Sequence, residues 1–236
     1  MQLAYDSGLL QALSDLSTIT DKILIQKTDK GIEVKAGDDG RMVLYHLTAP
    51  ADKFPIEKNC AFHDYGRFFG KFCLFDDPTI EIDDAASVIT IKSGNKSATH
   101  NLAEGNVIKA TFSQIRIPST DVEFKLSTDV IKRLRELSGV NYFDSNRIVF
   151  SFSPDTLGVK LRSTRHENTY EDKIPEVITS FTADADFSLE CDIKTIQLLP
   201  LVADYKVTVS AAGLMKLEML RKDDISVLVY IAKVAG

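Results

Sequence analysis

The feature that most limits what this chain can fold into is internal repetition. A short apolar strand, a polar break and an amphipathic helix recur at 3–16, 60–75, 124–137 and 187–201. A shift of 121 residues carries Leu3, Tyr5, Leu9, Leu10, Leu13 and Leu16 onto Phe124, Leu126, Val130, Ile131, Leu134 and Leu137. A shift of 127 carries Cys60, Phe62, Phe69, Phe72 and Leu74 onto Phe187, Leu189, Ile196, Leu199 and Leu201. The first two units also share Asp-x-Gly, at Asp6-Ser7-Gly8 and Asp64-Tyr65-Gly66. A period above 50 residues is too long for most solenoids, so the units read as half-domains of a symmetric object.

Two domains of about 110 residues each fit the 236-residue chain. No apolar run is long enough to span a bilayer. The N-terminal Met1-Gln2-Leu3-Ala4-Tyr5-Asp6 lacks the basic and apolar regions of a signal peptide, which makes the cytoplasm the expected location. Three cysteines, Cys60, Cys73 and Cys191, lie in apolar stretches and read as buried reduced thiols. A net charge of −6 does not announce a nucleic-acid binder, although a basic footprint can be confined to one face.

Periodicity extends the repeat to β-α-β-β-β, four times over. Helices are expected at 7–16, 65–75, 129–137 and 192–201, with Gly139 stopping the third. Strands are expected at 3–5, 22–28, 31–36, 41–47, 59–63, 79–83, 87–92 and 97–102. In the second half they fall near 124–126, 147–153, 157–163, 168–174, 186–190, 204–210, 214–220 and 225–231. Lys30-Gly31, the 37–40 segment and Ser93-Gly94-Asn95 supply turns. The class is therefore α+β with antiparallel sheets. The extended stretch from Glu104 to Asp121 separates the halves, giving domains 1–107 and 123–236 with a connector at 108–122.

Catalytic and cofactor motifs do not appear. Gly66-Arg67-Phe68-Phe69-Gly70-Lys71 is one residue short of a phosphate loop, and Phe72 stands where Ser or Thr would bind magnesium. It reads better as a helix with two small residues. The pairs Asp38-Asp39, Asp76-Asp77, Asp83-Asp84 and Asp223-Asp224 sit at expected turns. His46, His63, His100 and His166 are scattered, and Cys60 with His63 finds no second pair to complete a metal site. No metal, no cofactor and no enzymatic activity are expected.

The helices distribute positive charge selectively. Lys132 and Arg135 lie opposite the Val130, Ile131, Leu134, Leu137 stripe, and Arg133 flanks it. Arg67 and Lys71 flank the Phe68, Phe69, Phe72, Phe75 stripe, and Arg67 maps onto Lys194. The first helix has Asp6 and Asp15 and no cation. A solvated helix face is the bland alternative. If the four helices occupy equivalent positions, however, their outer faces converge on one locus. A few cations per helix around a ring would then give an acidic protein a positive lining. Without interleaved aromatics or a recognition helix, such contact would be with phosphates and blind to sequence.

At this point the chain resembles the DNA sliding clamps, the polymerase processivity factors, and most of all those of large tailed bacteriophages. Proliferating cell nuclear antigen is a more distant relative. The segment from Cys60 to Gly70 running on to 76–82 is similar to the second strand-helix-strand unit of phage clamps. Leu201-Val202-Ala203-Asp204-Tyr205-Lys206-Val207 and Val229-Tyr230-Ile231-Ala232-Lys233 resemble the closing unit of the wider family. The resemblance implies the DNA clamp fold in a homotrimeric ring, with helices lining the hole and strand edges joining subunits. Its implied partners are double-stranded DNA, DNA polymerase and a clamp loader, in an infected bacterial host, with a further role in late transcription. The DNA-facing residues would be Arg67, Lys71, Lys132, Arg133, Arg135 and Lys194. Partner peptides would enter a groove formed by Ile108, Ile115, Ile117 and Pro118 on the connector and by Val229, Tyr230 and Ala232 on the closing strand. Two rivals remain at this level: a repeated α+β assembly scaffold that does not bind DNA, and an enzyme with an unrecognised site.

Overall fold

The computed structural model describes the chain except for residues 1–6, 38–41, 55–57, 84–86, 105–114, 141–146, 163–168, 175–177, 198, 200, 202, 221–223 and 235–236. The expected strand at 3–5 lies outside the described residues. The chain forms two compact units. One comprises Met1–Asp39, Tyr45–Ser113 and Lys222–Val227; the other comprises Gly40–Leu44, Gln114–Arg221 and Leu228–Gly236.

In the first unit, helix α1 (Ser7–Ile19) precedes strands β1 (Ile23–Thr28), β2 (Gly31–Gly37) and β3 (Val43–Ala49). Then come β4 (Cys60–Phe62), α2 (Tyr65–Phe72), β5 (Thr79–Asp83), β6 (Val88–Ser93) and β7 (Lys96–Asn101). Two antiparallel sheets result, ordered β3-β2-β1-β4 and β5-β6-β7. Period-two alternation drives Ile25, Val34, Tyr45 and Leu47 to one face, where each is fully buried. Leu9, Ala12, Leu13 and Leu16 recur at helical spacing on α1 and are buried, so α1 packs through that stripe, against β2 and α2. On α2, Tyr65, Phe68, Phe69 and Phe72 face inward, and the ring of Phe62 on β4 lies tilted 4.5 Å from that of Phe68. The β1–β2 turn requires glycine: Gly31 has φ +144, and a Cβ there would lie 2.1 Å from the Ala49 carbonyl oxygen.

In the second unit, β8 (Val122–Leu126) and α3 (Thr128–Val140) are followed by β9 (Arg147–Ser153), β10 (Thr156–Arg162), β11 (Thr169–Ile174) and β12 (Ile178–Phe181). The order continues with β13 (Phe187–Asp192), α4 (Lys194–Gln197), β14 (Tyr205–Ser210), β15 (Leu214–Met219) and β16 (Ser226–Ala232). Here the sheets are β12-β8-β14-β15-β16 and β11-β10-β9-β13. Phe152 joins the core aromatics, with ring centroids 5.1 Å from Phe187 and 6.1 Å from Phe124. Helices α3 and α4 pack together, as α1 and α2 do.

The halves exchange strands. In the second unit β8 pairs with β14, whereas β13 pairs with β9, so each sheet includes a strand from the other β-α-β-β-β half. The first unit does the same with β4, which pairs with β1. A half-domain alone would leave a sheet one strand short with open backbone donors.

Several sequence expectations change. Helix α3 runs through Gly139 to Val140 rather than stopping there; an interior glycine costs only about 1 kcal/mol against alanine. The 192–201 helix shrinks to one turn at Lys194–Gln197, since Pro200 disfavours helical geometry just before it and Thr195 and Ile196 are β-branched. The 65–75 helix ends at Phe72. Strand β12 was not anticipated; its four residues are too short for a period and pair to β8 through a bulge. Cys60 and Cys191 are buried, but Cys73 is exposed just past the end of α2. Leu74 and Leu201, matched by the 127-residue shift, are both exposed rather than core.

Candidate nucleic-acid interface

On α2 the buried aromatic face leaves Arg67 outside, 72% exposed, with its Nε 3.3 Å from the Asp64 carboxylate. Lys71 is half-buried, and its Nζ donates to the Thr99 carbonyl oxygen of β7 at 2.7 Å. That bond fixes the side chain beside the sheet. Gly66 lets the helix approach the end of α1: a Cβ there would stand 3.3 Å from Asp21 Oδ1, and the Tyr65 amide donates to the Asp21 carbonyl at 3.0 Å. A Cβ on Gly70 would point into open space. The two glycines are packing and surface positions of an ordinary helix, with no phosphate-loop geometry.

On α3, Ile131 and Leu134 are buried, while Lys132 and Arg133 are exposed. Arg135 behaves differently from its helical spacing. Its Nε donates to the Ile196 carbonyl oxygen at 3.1 Å, and its terminal nitrogen donates to the Leu199 carbonyl. The guanidinium thus binds one carbonyl of α4 and one just beyond its end. Face-by-face reading grouped Arg135 with Lys132. The structure assigns it first to holding α4 against α3, which sequence missed because the partner carbonyls lie about 60 residues away.

The N-terminus of α3 is held across the unit. Asp204 Oδ1 accepts from the Thr128 amide at 2.9 Å, while its Oδ2 lies 2.6 Å from Lys125 Nζ. The Lys125 contact, then the Thr128 amide, hold the Asp204 carboxyl below its ordinary value. Lys194 is exposed at the start of α4, where its amide donates to Asp192 Oδ1 at 2.9 Å. On α1, Asp15 is buried and accepts from Gln11 Nε2 at 3.1 Å. Of the two acidic residues that set the first helix apart, Asp15 is thus buried, and Asp6 lies outside the described residues. Among the described side chains of α1, the outward positions Gln11 and Ser14 are neutral.

Of the expected groove residues, Ile108 lies outside the described residues. Ile115 and Ile117 are half-buried, while Pro118 is exposed. The end of the connector is clasped to the second unit. The Asp121 amide donates to the Val209 carbonyl at 3.0 Å, and Asp121 Oδ2 accepts from the Ala211 amide at 2.8 Å and from Ser119 Oγ at 2.5 Å. The Ser119 bond, and then the Ala211 amide, lower the Asp121 pKa. Strand β16 alternates: Val229 and Ile231 are fully buried, whereas Leu228, Tyr230 and Ala232 are half-buried on the opposite face. Val229 is therefore core. Only Tyr230 and Ala232 share a face available to a ligand, and two-residue periodicity separates them from Val229.

No protein-family model matches the chain, and no curated protein matches it in sequence. Solved structures do match. The proliferating cell nuclear antigen of A. fulgidus, in a structure with the C-terminal region of FEN-1 bound, aligns with a TM-score of 0.73 at 12% identity, covering 98% of this chain and 97% of that one. The antigen of Entamoeba histolytica aligns at 0.72 and 16% identity over 96% and 95%. That of Thermococcus kodakaraensis aligns at 0.70 and 18% over 98% of both chains. The chain has the clamp fold of proliferating cell nuclear antigen, along its whole described length and with few residues in common.

Proposed function

We propose that this chain is a sliding clamp that encircles duplex DNA and tethers a replicative polymerase. The observation that carries the reading is the clamp fold itself, matched over 98% of the chain, with exposed cations on three of its four helices. In this reading residues 1–107 and 123–236 are the two clamp domains, joined by the connector at 108–122. The protein is no enzyme. It works topologically, turning polymerase dissociation into rebinding at high effective concentration. Weak phosphate contacts suit sliding, because tight ones would act as a brake.

Arg67, Lys132, Arg133 and Lys194 are the leading DNA-facing residues. Lys71 and Arg135 contribute charge while also bonded to backbone carbonyls. Ring closure would use the terminal strands β7 and β11, which end their sheets among the described strands. A head-to-tail contact repeated three times closes a homotrimer. A clamp loader would place it on DNA. Partner peptides would bind beside the connector, on the face of β16 that carries Tyr230 and Ala232; the FEN-1 segment bound to the A. fulgidus protein supports that reading by analogy. The phage origin and the role in late transcription rest on the sequence resemblance.

Light scattering across a concentration series tests the assembly. A particle of three times the 26.2 kDa chain, about 79 kDa, supports the ring. A strict monomer at every concentration removes the topological mechanism. A primer-extension assay on circular template, with and without this protein, then reads processivity directly.

A further inference from the structure

His100 is the one buried residue of β7, where its strand neighbours are exposed or half-buried. Its ring lies 5.7 Å from that of Phe68 on α2 and 6.0 Å from that of Phe62 on β4. Across the sheet its register partner is Ile89, itself fully buried. The internal repeat makes the residue anomalous. Val209, Met215 and Ile231 pair across β14, β15 and β16 as Ile82, Ile89 and His100 pair across β5, β6 and β7, so the residue in the place of His100 is Ile231, fully buried. Where one half of the chain uses isoleucine to seat its last strand, the other uses an imidazole.

Among the described residues, the charged groups that act on it are Lys71 and Arg67 of α2 and Asp64 just before that helix. Lys71 and Arg67 oppose a second positive charge there, and Asp64 favours one. Asp64 is already engaged by Arg67, and Lys71 is bonded to the carbonyl of Thr99, the residue beside His100. Burial first, then Lys71, depress the affinity of His100 for a proton. Neutral histidine suits this aromatic site; an imidazolium would be a desolvated cation next to a fixed ammonium.

We propose that His100 is a proton-sensitive latch: neutral, it holds β7 against α2 and β4, and protonated, it releases the strand. The folded site binds the proton less tightly than an exposed histidine does, so protons favour the opened form. Opening becomes about tenfold more populated for each pH unit below about 6.5, levelling once the folded site itself takes up the proton. Because β7 is a terminal strand, opening at low pH would also loosen a ring closed through it. That consequence rests on the clamp reading; the latch does not.

Hydrogen exchange between pH 7.5 and 5.0, corrected for intrinsic exchange rates, tests the latch in the full chain. Protection of the β7 amides should be flat above about pH 6.5 and fall below it, by up to about tenfold per pH unit, in the wild type, and stay flat throughout in His100→Ile, which installs the residue of the equivalent strand. Should that variant not fold, His100→Gln gives the same comparison with a polar, non-titrating side chain. Equal pH dependence in wild type and variant, or flat protection in the wild type, overturns the proposal. Light scattering over the same range separates the two readings: a monomer at every pH refutes the ring and leaves the exchange result standing.

Discussion

Replacing Arg135 with alanine separates a structural cation from those proposed to face DNA. Two charge-assisted hydrogen bonds, to the Ile196 and Leu199 carbonyls, disappear. Bonds to charged groups are worth about 1.5–3 kcal/mol each. Arg135 is only half-buried, so water replaces part of what is lost, leaving about 2–3 kcal/mol. For a chain of this size 1 kcal/mol moves the melting temperature by about 2–4 °C, which gives a fall of roughly 4–12 °C. The paired variant Lys132→Ala with Arg133→Ala should leave stability within about 1 kcal/mol. If those residues touch phosphate, it should instead flatten the salt dependence of DNA association, lowering the slope by about 0.9 per charge removed. Thermal melts and DNA binding from 50 to 200 mM salt, on both variants, make the test. An Arg135→Ala protein that melts like wild type but loses as much DNA affinity as the double variant would refute the division of roles.

Other outcomes follow from individual contacts. Gly31→Ala forces a Cβ against the Ala49 carbonyl and should prevent folding or cost more than about 3 kcal/mol, read by denaturant melts. Val229→Ala should destabilise by about 2 kcal/mol through its core cavity, whereas Tyr230→Ala should leave the melt nearly unchanged and weaken capture of a polymerase C-terminal peptide. Because Asp204 has its carboxyl pKa lowered in the folded state, its contribution is full above the ordinary carboxylate value and is lost as pH falls through the lowered one. Asp204→Asn should therefore flatten the acid limb of the stability curve, chiefly below pH about 4.

Sequence alone determined a good deal, because local periodicity reports which face of an element meets a core. The strands near 79–83 and 147–153 fall where β5 and β9 do, and the α+β class follows from them. The Leu13 and Leu134 positions matched by the repeat are both buried. The resemblance in 60–82 and 201–207 pointed to the clamp fold that the solved structures share. Long-range partners, by contrast, leave no local trace. Periodicity could not show that Arg135 reaches α4 or that Asp15 is buried. Nor could it show that His100 is buried beside two phenylalanines. The repeat suggested half-domains without showing how they join: β8 joins β14 while β13 joins β9, so neither half is complete without the other. Which side chains lie on a strand's inner face is written every second residue. Which strand completes a sheet is decided only when backbone groups far apart in the chain must find partners in a shared core.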